Sequence, residues 1–376
     1  MAPNKENRRP ATASAVPSNE DMRRQLLGKR KAASDSDDSN RDEDGEVGPQ
    51  SEITPQAKIV KSDVLVSYGR HFNRTIHPFC DLNTLIVDGQ TRVNEVILRG
   101  ITIEALSLRE QREHGLFLQL IQLVPGLDAR LWDEKCTNDD RKYIADTLGR
   151  GVRSGRADDA KGLKPVVIDW VTPLNGMLIP PVGKYLCPTD YNWNDDNDRR
   201  RLRKGEIIPT PGQWPIFLYE DLKFNPADPW EGLLKGHLVV QAYKHIFVSP
   251  SSADGETRAT RSGNAAIHGM KSVTTASLAY VAMMVRFSLS ASASFIKNDK
   301  MMEHESFFNT LLEFLEDENE GDEVSQLLDW WNQLIFPAYF TLVGNAKVPQ
   351  TSALAQLKQR RRKILGSTQP ASDVPA

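Results

Sequence analysis

Apolar residues recur three and four positions apart along residues 61–345. Positions with this spacing share one face of an α-helix, so the pattern predicts a succession of amphipathic helices. One helix contains Leu116 and Leu120 and ends at Pro125, and another begins at Asn138. Proline does not continue a helix and asparagine often caps one, so both boundaries have a physical reason.

The strongest single helix signal starts at Asp228. Asp228 can cap a helix, Pro229 suits its first turn, and Glu231 completes a capping box. Apolar residues then continue at every fourth position from Trp230 to Ile246. This segment therefore predicts a helix in the centre of the protein.

Three more helices are predicted toward the C-terminus. Thr274 caps the first, which covers residues 275–290 and contains mainly apolar and small side chains. The second covers residues 307–315, and the third covers residues 324–335 and ends before Pro337.

Proline interrupts the helical pattern in two places. Pro165 lies in a helical repeat over residues 163–171, where it either begins the helix or kinks it. A short buried strand over residues 166–171 is the alternative. Residues 172–227 contain eight prolines, which predict an irregular layer of turns with one short helix over residues 192–203.

The predicted fold class is therefore mainly α: an irregular helical domain with a Pro-rich loop layer and disordered N- and C-terminal tails. The globular part covers residues 61–345, as one domain or as subdomains 61–172 and 212–345. Residues 1–60 contain too few apolar side chains to offset the entropy of folding. Residues 346–376 form a basic tail of similar character.

Overall composition narrows the class of protein. The formal net charge of −3 gives no overall basic field that would attract nucleic acid. The three cysteines, Cys80, Cys136 and Cys187, lie far apart and predict a reducing compartment without disulfides. The N-terminus lacks an apolar signal sequence and no apolar run is long enough to span a bilayer, so we expect a soluble intracellular protein without membrane contact.

Basic clusters in both tails are typical of nuclear import signals, because an import receptor needs an accessible cationic peptide. The N-terminal clusters could alternatively belong to a generic charged tail. The alternatives for the C-terminal cluster are a phosphate-contacting patch and a solvated helix end. The candidate import residues are Arg23, Arg24, Lys29, Arg30, Lys31, Arg360, Arg361, Arg362 and Lys363.

No complete catalytic or cofactor motif is found in the sequence. A phosphate-binding P-loop and a G-x-S-x-G elbow are both absent. The sequence Gly149-Arg150-Gly151 is only a weak candidate for a nucleotide-binding loop. His237 and His245 are two helical turns apart, too far to share one metal ion easily. The sequence therefore predicts no cofactor, no metal site and no catalytic residue.

Two features remain as candidates for binding. Arg286 is the only charged residue in an apolar helix and is expected to pair with a carboxylate, because an unpaired buried charge is very costly. The loop over residues 249–271 combines polar donors with glycines that permit unusual backbone angles. Its candidate anion- or phosphate-binding residues are Arg258, Arg261, Asn264, His268 and Lys271.

Residues 214–336 resemble an uncharacterised domain family that is expanded in mushroom-forming basidiomycete fungi. The resemblance rests on WPIFLYEDLKFNPADPWEGLL, AYKHIFVSPSS, ATRSGNAAIHGMKSVTTASLAYVA and LLDWWNQLIFP. Weaker similarity reaches back to about Tyr68, and Pro165 and Thr275 depart from the family pattern. The resemblance implies no established activity and no catalytic residues.

We therefore expect a non-enzymatic nuclear protein that binds another protein or, as a second option, nucleic acid. One alternative is an enzyme acting on nucleic acid or another phosphate ester, with a site assembled from distant segments. Another is a structural helical scaffold, and the cytoplasm is the alternative location. An exposed aromatic patch would favour protein binding, whereas carboxylates converging around Arg286 would favour an enzyme.

Overall fold

The computed structural model describes residues 63–172, 182–253, 263–295 and 303–339. These residues form helices and connecting turns, and no strand occurs among them. Only two isolated β-bridges are present there, Pro188 with Pro215 and Tyr219 with Leu233. The mainly α-helical class predicted from the sequence is confirmed. Both predicted tails lie outside the described residues.

Thirteen α-helices are found in the described residues, and they are numbered here in chain order. They are α1 Val64–Thr75, α2 Leu82–Arg99, α3 Leu108–Leu123, α4 Leu127–Leu131, α5 Asn138–Val171, α6 Val182–Leu186, α7 Asp196–Lys204, α8 His237–Tyr243, α9 Pro250–Ala253, α10 Asn264–Ile267, α11 Thr275–Leu289, α12 His304–Leu315 and α13 Gly321–Ile335. A π-helical turn over Lys244–Val248 follows α8 directly. Short 3₁₀ turns cover Ile103–Ala105, Ile216–Leu218, Glu220–Leu222 and Glu318–Glu320.

The described chain divides into two compact units. The first unit contains residues 63–72 and 80–153, and the second contains residues 73–79 and the described residues from Ser154 onward. The division falls within the residue range of α5, whereas the sequence analysis placed an alternative boundary at residue 172.

Glycine allows a close helix crossing in the first unit. A Cβ atom on Gly151 of α5 would lie 2.3 Å from the Val66 carbonyl oxygen and 2.9 Å from the Gly69 Cα atom of α1. A Cβ atom on Gly69 would lie 2.1 Å from the Leu148 carbonyl oxygen. Only glycine fits at both positions, because backbone atoms cannot retreat as a flexible side chain can. The sequence Gly149-Arg150-Gly151 is therefore helical and is not a nucleotide-binding loop.

Capping side chains define the helix starts in the first unit. Asp81 accepts hydrogen bonds from the backbone of Asn83 and Thr84 at the start of α2. Ser107 and Glu110 form a reciprocal capping box at the start of α3. The Arg92 guanidinium forms an ion pair with the Glu113 carboxylate and so connects α2 with α3. The polar residues Asp81 and Ser107 therefore fix the positions at which α2 and α3 begin.

The core of the second unit is built around α11. Every side chain from Ala276 to Leu289 is buried in this helix. Thr274 caps it through a capping box with Ser277, as the sequence predicted. The Lys164 ammonium group donates to the carbonyl oxygens of Ser290 at 2.7 Å and Ser292 at 2.9 Å, just beyond its last turn. The C-terminus of a helix carries partial negative charge, so the positive charge of Lys164 stabilises this end of α11.

The helix predicted to start at Asp228 is wrong at its N-terminal end. α8 begins at His237, with Gly236 as its N-cap. The reason is local backbone conformation: Gly232 and Leu234 have φ angles of 72° and 56°, which no helix contains. Leu234 is nevertheless fully buried, so the apolar stripe marks burial correctly but extends beyond the helix.

Helix α5 includes Pro165 and continues to Val171. Two predictions for this segment are therefore wrong: the helix does not start at Pro165, and residues 166–171 do not form a strand. The other C-terminal helices agree with prediction: α12 and α13 contain the two expected apolar repeats, and α7 matches the expected short helix. No helix in the described part of the chain is long and apolar enough to cross a bilayer.

Candidate functional site

A concave pocket of about 350 Å³ opens in the second unit. Two isolated β-bridges form its framework, one that pairs Pro188 with Pro215 and one that pairs Tyr219 with Leu233. The backbone of Thr189 donates to the Trp214 carbonyl, and the Glu220 backbone donates to the Gly232 carbonyl. The lining residues are Thr189, Asp190, Gly212, Trp214, Tyr219, Phe224, Pro229, Trp230, Leu233, Phe314 and Glu320. Its volume is at the lower end of the range typical of ligand sites.

Five aromatic side chains dominate the lining of this site, which we call the aromatic pocket. Phe314 of α12 lies edge-on to Trp214, with ring centroids 4.9 Å apart and planes at 76°. Trp230 stacks on Phe314 at 5.1 Å. Tyr219 and Phe224 also meet edge-on, at 5.2 Å and 73°. The rings therefore present faces and edges in several planes, which gives the pocket a defined shape.

Acidic and indole groups add polarity to the aromatic pocket. The Trp230 Nε1–H donates to a Glu320 carboxylate oxygen at 2.7 Å. One Asp190 oxygen accepts from the Gln213 amide at 3.1 Å. The Trp214 Nε1 atom is buried, and no acceptor for it is found among the described residues. Burial raises the pKa of Tyr219 to about 12, so its hydroxyl remains protonated at neutral pH.

Backbone strain is concentrated in the segment that forms one wall of the pocket. Asp221, Leu222 and Leu234 are non-glycine residues with φ angles of 53°, 55° and 56°. Each such conformation costs on the order of 1 kcal/mol and persists only where the surrounding structure enforces it. Strain of this kind often accompanies functional sites. Asp221 and Leu222 follow the lining residue Tyr219, and Leu234 follows the lining residue Leu233.

A buried polar network lies elsewhere in the second unit. The Arg74 guanidinium donates two hydrogen bonds to the Asp159 carboxylate, at 2.7 and 2.8 Å. The Tyr280 hydroxyl donates to the same carboxylate at 2.7 Å and accepts from the Asn73 amide at 2.9 Å. Burial alone would lower the pKa of Arg74, but Asp159 reverses this and raises it. All four side chains are buried, which identifies the network as structural.

The structure describes three of the five predicted anion-binding residues, Asn264, His268 and Lys271. Arg258 and Arg261 lie outside the described residues. The Asn264 amide donates to the Ile246 carbonyl and so closes the π-helical turn. Burial, with a contribution from Arg74, lowers the pKa of His268. The Lys271 ammonium lies 5.8 Å from the Tyr339 ring centroid, and anion binding by this loop stays a prediction.

Arg286 is buried, as expected, and its guanidinium lies 4.7 Å from the Phe307 ring centroid. Burial lowers the pKa of Arg286 to about 10, and the Glu303 carboxylate opposes that change. The side chain therefore remains charged at neutral pH. Among the described residues, no group of three or more His, Cys, Asp or Glu side chains is placed to hold a metal ion.

The fold and the aromatic pocket define a helical domain with a concave aromatic site. Residues 150–336 match the model of a family described as a family of unknown function, DUF6698. The match includes every residue that lines the aromatic pocket. No curated protein and no solved structure matches the chain.

Proposed function

We propose that this chain is a non-enzymatic nuclear protein that binds another protein through the aromatic pocket. The observation that carries the proposal is the set of five aromatic side chains around a pocket of about 350 Å³. Tryptophan and tyrosine are enriched at the energetic centres of protein interfaces, since they bury large areas with few rotatable bonds. The Glu320 carboxylate accepts from the Trp230 N–H, so this indole is held in position before a partner binds.

The chemistry of the lining supports binding rather than turnover. Its two carboxylates, Asp190 and Glu320, already accept hydrogen bonds from Gln213 and Trp230. The Cys187 thiol, which lies beside the pocket framework, is buried, and burial raises its pKa to about 11, so it is not an activated nucleophile. These groups suit recognition, in which fixed side chains position a ligand without reacting.

Nuclear location rests on the basic clusters of the sequence, at Arg23, Arg24 and residues 29–31 and at residues 360–363. A fluorescent fusion of the full chain is expected to accumulate in the nucleus. A matched fusion that lacks residues 1–60 should accumulate less, and an unchanged cytoplasmic signal for both proteins would contradict this part of the proposal.

Affinity capture tests the binding site. The full chain, a Trp230→Ala variant and a Trp132→Ala variant would be used as baits, each with and without nuclease treatment. Trp132 is a suitable control because it is 41% exposed, lies in the first unit and does not line the pocket. We expect the bound proteins to disappear with Trp230→Ala, to persist with Trp132→Ala, and to resist nuclease. Loss of the bound proteins after nuclease treatment alone would favour the nucleic-acid alternative.

A further inference from the structure

We propose that the aromatic pocket binds the methylated ammonium group of a lysine side chain on a partner protein. This inference rests on the proposed function and names the group that the pocket recognises. The faces of aromatic rings carry negative electrostatic potential and attract cations within about 6 Å of the ring centroid. Two of the five lining rings, those of Trp214 and Trp230, belong to the residue type that binds cations best, and both side chains are half-buried.

The charges around the pocket favour a cation over a neutral or anionic ligand. Asp190 and Glu320 line the pocket, and no described lining residue is basic. Each carboxylate accepts one hydrogen bond at one of its oxygens, so the negative charge remains available to a ligand. A carboxylate beside aromatic rings strengthens cation binding, because the site is partly shielded from water.

Methylation of the cation follows from the lack of hydrogen-bond acceptors in the aromatic wall. An unmodified lysine ammonium is strongly hydrated and has three donors to satisfy. The five ring faces accept no such hydrogen bonds, so ammonium donors turned toward them lose the water that they bound. A trimethylated or dimethylated ammonium keeps the positive charge, has few or no donors, and presents methyl groups that pack on ring faces.

The surroundings of the pocket favour a lysine within a protein over a free small cation. Asp228 and Glu231 flank the lining residues Pro229 and Trp230, and both acidic side chains are exposed. Glu318, two positions before Glu320, is exposed as well. These acidic groups extend beyond the pocket and complement a basic peptide segment, such as those in which lysine is surrounded by other cationic residues.

Calorimetric or NMR titration of the full chain tests the inference with four probes. The first is a short Arg- and Gly-containing peptide with a central trimethyllysine. The second has the same sequence with the neutral tert-butyl isostere, in which carbon replaces the charged nitrogen. The third carries unmodified lysine, and the fourth is choline. We expect the trimethyllysine peptide to bind at least about tenfold more tightly than each of the other three.

Two variants assign the binding to the pocket. Glu320→Gln removes one negative charge while keeping an oxygen that can accept from the Trp230 indole. It should lower the affinity for the trimethyllysine peptide about threefold or more. Trp132→Ala should leave its affinity unchanged. Circular dichroism and thermal unfolding of each variant establish that it is folded, and the isostere comparison requires no variant.

The possible outcomes separate the two proposals. Equal binding of the neutral isostere would show that the pocket recognises shape and not charge, and would overturn the inference. Choline binding as tightly as the peptide would identify a small-molecule site and would also overturn it. If no ammonium probe binds while Trp230→Ala still abolishes protein capture, the methyl-lysine inference fails and the proposed protein-binding function stands.

Discussion

Asp159 illustrates how one carboxylate organises the buried polar groups of the second unit. Its oxygens accept two hydrogen bonds from Arg74 and one from Tyr280. Arg74 and Asp159 are each no more than 9% exposed, so neither charge is well solvated. A buried ion pair adds little net stability, but the loss of one partner leaves the other charge uncompensated. The network therefore holds residues distant in sequence in one arrangement.

Substitutions at different positions of this network should lower the free energy of unfolding by different amounts. Asp159→Asn leaves the Arg74 guanidinium buried without its counter-charge and should lower the free energy of unfolding by about 3–5 kcal/mol. Tyr280→Phe removes only a hydroxyl and should cost about 1–2 kcal/mol. Urea denaturation at neutral pH measures both values. Equal costs for the two variants would contradict the assignment of Asp159 as the centre of the network.

His114 should make the stability of the protein depend on pH. Its side chain is buried, and this burial, followed by the charge of Arg92, lowers the pKa of His114. As the pH falls through the unfolded-state pKa of about 6.5, the unfolded chain takes up a proton more readily than the folded one, so stability decreases.

A His114→Gln variant should remove this component. Between about pH 7.5 and pH 5.5 the wild-type protein should lose more of its free energy of unfolding than the variant does. Urea titrations at both pH values provide the comparison. A steeper loss in the variant would mean that His114 is protonated more easily in the folded state than in the unfolded one.

At the scale of whole elements, helices were predictable wherever local signals and burial agreed. Thr274 capped α11, and the apolar repeats marked α12 and α13, because capping and periodicity act within a few residues. The start of α8 was not predictable. Apolar spacing, a capping Asp228 and a first-turn proline all favour a helix there. Leu234 instead has a positive φ directly after the Tyr219–Leu233 bridge, and that bridge joins segments separated along the chain.

Two glycines of α5 give a matched test of helix packing. Gly151→Ala would place a methyl group 2.3 Å from a backbone oxygen of Val66, and should destabilise the protein by about 1–3 kcal/mol. Gly162→Ala meets no atom within 4 Å and should stabilise it by about 0.5–1 kcal/mol, since alanine favours the helix. Thermal or urea unfolding compares them. Destabilisation of similar size at both positions would exclude the close crossing of α1 and α5.

At the scale of the whole molecule, the sequence predicts a binding protein, and the proposed binding site differs from the loop that the sequence favours. The polar loop over residues 249–271 is the candidate that the sequence favours, because its donors are close together along the chain. The aromatic pocket instead combines the segment 214–233 with Phe314 and Glu320, about ninety residues away along the chain. The local density of aromatic and proline residues from Trp214 to Trp230 was the available signal, but it was also consistent with a core helix.

Protein binding at the aromatic pocket is tested most directly by site-specific photo-crosslinking in cells. A benzophenone amino acid would replace Phe224 in the pocket or, as the control, Trp132 in the first unit. After nuclease treatment and mass spectrometry, we predict a crosslinked protein at position 224 that is absent at position 132, with a methylated lysine close to the crosslink. The same crosslinked proteins at both positions, or crosslinks at position 224 to nucleic acid alone, would contradict it.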